Sequence, residues 1–319
     1  MYFIRLIRPL NLSIVALTMY GLGWYFESIY GASSEYGIFS LTFNLLVFST
    51  VMIAAAGNII NDYFDIKADR INKPEKLIIG KYIKRRIAIV SHWGMNFTAF
   101  FIAVYLSWIM DSFWYMFIHL FSINILWFYS MKGKRLFLSG NILIAGLTAM
   151  VPILVGFYFK QVYSSIPVLE LENLNEYPML AQSGSNYTLL LSFFLAAFAF
   201  ILNLAREIVK DMEDVEGDKK LPARTLPIVL GDQKSKWIVA VILFGTVIGS
   251  LLFWFLIDNI TLTSIFPIAF SGFLILIVYA LLPKSSSKKE YKRINHLIKL
   301  AMVAGLLIPI YWNLLVIYG

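Results

Sequence analysis

Apolar residues run along this chain in long, nearly unbroken stretches separated by short charged connections. The stretches fall at about 10–30, 39–60, 87–110, 113–131, 140–159, 187–206, 237–257, 263–283 and 297–318. Each approaches the roughly 20 residues that a helix needs to cross hydrocarbon. Coil exposed to lipid would leave its N–H and C=O groups unpaired, so every stretch is predicted to be a helix. The pattern predicts an all-α, polytopic membrane protein of about nine transmembrane helices, forming one continuous membrane domain over residues 1–319.

Composition agrees. Of 319 residues 59% are hydrophobic and 14% charged, against roughly 45–50% and 25% in an ordinary soluble domain. Arg5 and Arg8 precede the first apolar run, as in a signal peptide, but the run continues to about Trp24 without a small-residue cleavage site. It reads as an uncleaved first span. Absence of cysteine excludes disulfides, thiolate catalysis and Cys-ligated metals.

The formal charge of +8 changes the picture only through its placement. Of 27 Lys and Arg residues, 26 fall in residues 1–9, 61–88, 131–139, 205–236 and 284–299, while Lys160 lies in an alternate connection. By the positive-inside rule those five segments are cytoplasmic, and the C-terminus is outside the cell membrane. The basic excess therefore reads as topology and not as a nucleic-acid surface. The connections on the other side are short except 160–186, which carries Glu170, Glu172 and Glu176 and no recognisable chemistry. Tyr30, Trp108 and Tyr311 near span ends fit an interfacial aromatic belt.

Two cytoplasmic segments break the monotony. The second span runs into Asn61, Asp62, Asp65 and Asp69, and the sixth into Asp211, Asp214 and Asp218. Both contain Asp-x-x-Asp-x-x-x-Asp, which on a helix lines the three carboxylates along one face. Asn61 precedes Asp65 by one turn, and Glu207 precedes Asp211 by the same interval. Rows of like charge at a membrane boundary repel and are costly to desolvate, so they need a compensating cation. Oxygen-only ligands favour Mg²⁺, or Mn²⁺, over zinc. Mg²⁺ takes few carboxylates and completes its octahedron with water and phosphate oxygens. A diphosphate held between two such rows is the implied ligand.

Cations share these segments: Lys67, Arg70, Lys73, Arg85 and Arg86 near the first row, and Arg206, Lys210, Lys219, Lys220 and Arg224 near the second. Some fix topology; Lys67, Arg70, Arg206, Lys210 and Arg224 are the candidates for diphosphate contact. The implied reaction is metal-assisted ionisation of an allylic diphosphate, followed by capture of the carbocation by a nucleophilic acceptor.

At these residues the chain resembles the UbiA superfamily of intramembrane prenyltransferases. Asn61 to Asp69 matches its first signature, and Arg70-Ile-Asn72-Lys-Pro74 looks like the continuation. Asp211 to Asp218, followed by Arg224-Thr225-Leu226-Pro227, resembles the second, and Arg8-Pro9-x-Asn11 is similar to the family's approach to its first span. The resemblance implies nine helices around a central cavity, Mg²⁺ dependence, and transfer of a prenyl group from a polyprenyl diphosphate to a lipophilic acceptor within membrane lipid. It assigns metal and diphosphate roles to Asn61, Asp62, Asp65, Asp69, Asp211, Asp214 and Asp218, with Asp65, Asp69, Asp211 and Asp218 catalytic. Arg8 and Asn11 join the diphosphate contacts. Lys76-Leu77 stands where many members have Arg-Pro. The family's Tyr-x-x-x-Lys pair corresponds to Tyr129 with either Lys132 or Lys134, at spacings of three and five.

Arg206 to Asp218 looks most like the branch that transfers a geranylgeranyl group to geranylgeranylglyceryl phosphate in ether-lipid synthesis. The alternative acceptor is an aromatic acid of quinone biosynthesis, 4-hydroxybenzoate or dihydroxynaphthoate. A transporter would need acidic groups continuing through the spans, and these sit at helix ends on one side. The Asp-Gly-x-x-Ala-Arg signature of CDP-alcohol phosphotransferases does not occur. His92, His119 and His296 share no spacing and read as packing or interfacial residues.

Overall fold

The structure, a computed structural model, describes residues 2–30, 36–72, 74–164, 186–219, 223–257, 265–282 and 287–318. Glu170, Glu172, Glu176, Lys73 and Lys220 lie outside the described residues. The described chain is helical almost throughout: α1 (Tyr2–Ile7), α2 (Pro9–Tyr30), α3 (Leu41–Asn72), α4 (Arg85–Ile109), α5 (Trp114–Met131), α6 (Ser139–Val162), α7 (Asn186–Asp218), α8 (Leu226–Leu230), α9 (Asp232–Ile257), α10 (Ile265–Leu281) and α11 (Lys288–Tyr318). Each of the nine predicted apolar stretches coincides with one long helix. Six of these, α3, α4, α6, α7, α9 and α11, contain stretches long and apolar enough to cross a membrane. The others fall short for local reasons: α10 has 17 residues, α5 places His119 and Asn124 within its 18, and α2 mixes Asn11, Ser13, Thr18 and two glycines into its apolar run.

Successive helices alternate in direction. One apolar cluster gathers the C-terminal half of α2, the start of α3, the end of α4, the start of α5, the end of α6 and the start of α7, including Phe26, Phe43, Leu106, Tyr115, Phe159 and Leu191. A second joins α7 to α8, α9, α10 and α11 through Ile208, Leu226, Leu243, Leu274 and Ile298. A third, of Leu6, Ile59, Ile66, Ile79 and Ala88, lies at the opposite end of the bundle from the first and packs α1 under α3 and α4. Outward-facing side chains are apolar too: Phe39, Trp108 and Tyr279 are 91%, 77% and 80% exposed, as expected of a surface that lipid covers.

α3 and α7 decide where the chemistry sits. They have 32 and 33 residues, or about 48 Å at 1.5 Å per residue, against about 30 Å of hydrocarbon. Both run well beyond the ends of their apolar stretches, and the final turns carry the two acidic rows. The carboxylates therefore stand on rigid helices.

Candidate diphosphate site

The first row is gripped from below and from the side. Arg8 lies between α1 and α2 with φ of 57°, a left-handed conformation that costs energy in a non-glycine residue. Pro9 follows, which disfavours a continuous helix through Arg8 and suits the first position of α2. Asn58 of α3 pins this break by donating to the Ile7 carbonyl at 2.8 Å. Held so, the Arg8 Nη2 donates to Asp62 Oδ1 at 2.5 Å.

The connection between α5 and α6 supplies the second cation. Its tight turn, Gly133–Arg135, directs Lys134 onto Asp65, with Asn61 Oδ1 at 3.5 Å from the same amine. Gly140, at the start of α6, lies directly against that turn. A Cβ there would stand 2.6 Å from the Gly133 carbonyl oxygen and 2.7 Å from Lys134 Cα. Burial pushes the Lys134 amine below the usual lysine range, and Asp65 opposes this. Of the two lysines left open by the sequence, Lys134 turns inward onto Asp65 and Lys132 is exposed.

The second row meets the first across the gap between α3 and α7. Asp211 accepts from Asn141 Nδ2 at 2.8 Å. Glu207, one turn earlier, is buried and accepts from Arg206 at 2.7 Å and Lys210 at 3.1 Å. Asp65 lies in the electrostatic neighbourhood of Asp218, as it does of Asp69, and Lys134 neighbours both. Tyr129 is buried with Glu207, Asp211, Asp65 and Arg8 around it, so it stands between the rows.

Above the rows opens a cavity of about 310 Å³. Arg8, Asn11, Asn61, Tyr129, Asn203, Arg206, Glu207, Lys210 and Lys299 line its polar end, and Leu12, Val15, Ile53, Leu126, Leu147, Val151 and Leu154 its apolar walls. Asn11 accepts from the Lys299 amine at 2.7 Å. A smaller cavity of about 160 Å³ continues along α2, α6, α7 and α11 and is almost wholly apolar.

Not every predicted residue converges. Lys67, Arg70 and Arg224 are exposed, and Arg224 is fixed through its backbone N–H to the Arg135 carbonyl at 2.9 Å. Asp214 is half-buried on the α7 row. His92 and His119 are buried, with ring nitrogens 2.9 and 2.8 Å from backbone carbonyl oxygens, and His119 also bonds Ser49. His92 packs between helices, while His119 also lines the main cavity. Asn141, Asn203 and Lys299 were absent from the sequence-derived set. For Lys299 a signal existed: an ionisable group inside an apolar stretch marks a site.

Among the described residues no three carboxylates or histidines converge closely enough to cage an ion unaided. Part of the compensating charge comes from the protein, through Arg8 and Lys134. Asp69 and Asp218 are half-buried and make no side-chain hydrogen bond or ion pair among the described residues. Two such oxygen donors, one in each row and both in the electrostatic neighbourhood of Asp65, suit a hard cation that keeps water and phosphate in its shell, so the donor set fits Mg²⁺.

Comparison with known proteins decides the family. The model of the UbiA prenyltransferase family matches residues 16–303. The chain belongs to the UbiA prenyltransferase family. It is therefore an integral membrane enzyme that transfers prenyl groups. Among curated UbiA relatives, the digeranylgeranylglyceryl phosphate synthase of Pyrococcus horikoshii is 33% identical over 252 residues, covering 78% of this chain and 76% of that protein. Its namesake in Methanosphaera stadtmanae is 28% identical over 310 residues, covering 94% and 95%. A solved digeranylgeranylglyceryl phosphate synthase superposes with a TM-score of 0.64 at 25% identity, over 98% of this chain and 97% of that one. A UbiA homologue from Archaeoglobus fulgidus bound to GPP and Mg²⁺ shares the fold, with a TM-score of 0.56 at 16% identity over 97% and 99% of the two chains.

Proposed function

We propose that the enzyme transfers a geranylgeranyl group from its diphosphate to geranylgeranylglyceryl phosphate, forming a second ether bond of a membrane lipid. The observation that carries this reading is the pairing of two helix-borne acidic rows, the first held by Arg8 and Lys134 and the second by Asn141, beneath a cavity with a cationic end and apolar walls. The similarity to digeranylgeranylglyceryl phosphate synthases over most of the chain supports the acceptor.

In this reading Asn61, Asp62, Asp65, Asp69, Asp211, Asp214 and Asp218 would hold the metal, and the A. fulgidus homologue, which shares the fold, is bound to GPP and Mg²⁺. Mg²⁺, when bound, neutralises the diphosphate oxygens as charge builds on the leaving group. Lys134, Arg8 and Lys210 add fixed positive charge at the same place, which lowers the barrier because no solvent must reorganise. The bond between the allylic carbon and the diphosphate oxygen breaks with its electron pair going to pyrophosphate. The acceptor's hydroxyl oxygen bonds that carbon, and its proton leaves to the pyrophosphate or a neighbouring carboxylate. The Tyr129 ring, buried between the rows, presents an aromatic face beside the forming cation. The apolar walls accept the prenyl tail and exclude water.

The topology in this reading is nine spans forming one domain over residues 1–319. The acidic end faces the cytoplasm, as the 26 of 27 cations on that side require, and the C-terminus lies outside the cell membrane.

The test is an acceptor panel: purified enzyme in lipid with Mg²⁺ and labelled geranylgeranyl diphosphate, offered geranylgeranylglyceryl phosphate, 4-hydroxybenzoate or dihydroxynaphthoate. Label in the glyceryl lipid is expected, and none in EDTA. Label only in an aromatic acid would overturn the acceptor, and turnover in EDTA would overturn the metal.

A further inference from the structure

Lys299 is chemically out of place. It lies on α11 where the helix turns apolar, Leu300 to Gly305 following, yet its amine points into the main cavity. Its one hydrogen-bond partner among the described residues is neutral, the Asn11 side-chain oxygen at 2.7 Å, which uses one of three N–H donors. The charged groups that it feels are like charges, Arg206 and Arg8. Arg8 is engaged with Asp62 and Arg206 with Glu207, but no carboxylate contacts Lys299 among the described residues. Three cations from the α1–α2 break, α7 and α11 thus converge on one space, two of them paired with a carboxylate and Lys299 with none, which leaves an excess of positive charge that an entering anion would neutralise.

The anion is separate from the diphosphate by its place. The acidic rows stand on α3 and α7, with Lys134 between them. Lys299 comes from a different helix, α11, and Arg8, which bonds Asp62 and lies in the electrostatic neighbourhood of Lys299, stands between the two regions. The space beyond Lys299 is aliphatic: Met302, one turn on, lines both cavities, and Leu306 and Pro309 continue along the smaller one. One helix face therefore offers a cation, then an extended apolar trough. A small aromatic acid has a single negative charge and no tail to fill that trough. A phosphomonoester carries about −1.5 to −2 charges, which matches several cations, and a lipid tail matches the trough.

We propose that Lys299, with Asn11 and Arg206, binds the phosphate head of the acceptor lipid, whose aliphatic tail runs along α11 through Met302 and Leu306 into the second cavity. This rests on the reading that the acceptor is a glyceryl phosphate lipid, and it gives Asn11 and Arg206 to the acceptor in place of the diphosphate. The headgroup's free hydroxyl is then delivered beside the acidic rows, with Arg8 marking the boundary.

The test compares wild type, Lys299→Met and Lys299→Arg, each shown to elute as a single species with an unchanged melting temperature, in steady-state assays varying one substrate at a time. Loss of one charge-assisted hydrogen bond raises KM for geranylgeranylglyceryl phosphate roughly tenfold or more in Lys299→Met, with KM for the donor diphosphate unmoved. Lys299→Arg recovers most of the loss. Wild type also prefers the phosphorylated acceptor to geranylgeranylglycerol, and Lys299→Met erases that preference. Leu306→Trp raises KM for the long-tailed acceptor and leaves a short-tailed analogue unaffected. A rise in donor KM, or an unchanged acceptor KM in Lys299→Met, overturns the assignment. Failure of wild type to prenylate any glyceryl phosphate instead overturns the acceptor reading beneath it.

Discussion

Arg8, Lys134 and Lys132 show how far residue type alone carries. All three are cations in basic segments, indistinguishable by the rule that sets topology. Arg8 holds Asp62 because a left-handed residue before a proline breaks the helix and aims the guanidinium at α3. Lys134 holds Asp65 because the Gly133–Arg135 turn points it inward, while Lys132, two residues earlier, faces out. Lys134→Met is accordingly expected to lower kcat/KM by about a hundredfold, a loss typical of an electrostatic group at a developing charge, while Lys132→Met stays within about twofold. Steady-state kinetics on the two purified variants check this, and equal losses would reject the inward assignment. The acidic rows were legible from spacing because a helix converts i, i+3, i+7 into one face. The direction of a cation in a connecting turn has no such periodicity, so Lys67, Arg70 and Arg224 could be named from sequence and still lie exposed.

At the scale of elements, the site depends on close helix approaches that only small residues permit. Gly140 lets the start of α6 lie against the turn that carries Lys134, with the Gly133 oxygen 2.6 Å from where a Cβ would be. Gly140→Ala must shift backbone, so it is expected to cost activity by about tenfold or more through a misplaced Lys134; kcat measured beside a melting curve checks this. Elsewhere, elements are tied by buried polar contacts. Lys236 of α9 is fully buried, 3.0 Å from Asp232, with its amine 5.6 Å above the Tyr291 ring of α11, and Tyr291 donates to Asp232. Asp232→Asn leaves a buried ammonium less well matched. Discounted because Asp232 is half exposed, the loss is about 1–2 kcal/mol, visible as a lower melting temperature in detergent at near-normal kcat. Lys236 looked like a topology cation in the sequence; its burial follows from tertiary packing that no local pattern announces. Helix placement was legible because lipid forces apolar length and internal hydrogen bonding together. The lengths of α3 and α7 beyond their apolar runs were foreshadowed only by the helical register of the acids.

For the whole molecule, alternating helices bring every chemically active element to one end, while the aromatic-rich cluster of Phe26, Phe43 and Phe159 closes the other. Family membership and reaction type both followed from two short acidic segments. The acceptor did not, because the groups proposed to read it, Lys299, Asn11 and Arg206, converge from helices distant in sequence. The central claim is that both acidic rows act as one site. Asp62, Asp65 and Asp211 also hold Arg8, Lys134 and Asn141, so their removal disturbs the protein as well as the ligand. Asp69 and Asp218 make no such contacts among the described residues, and they sit one in each row. The decisive measurement is turnover against Mg²⁺ concentration for Asp69→Asn and Asp218→Asn. The account predicts that both lose about a hundredfold in turnover and need more Mg²⁺, with unchanged melting temperatures. Wild-type turnover and Mg²⁺ requirement in either variant would contradict it.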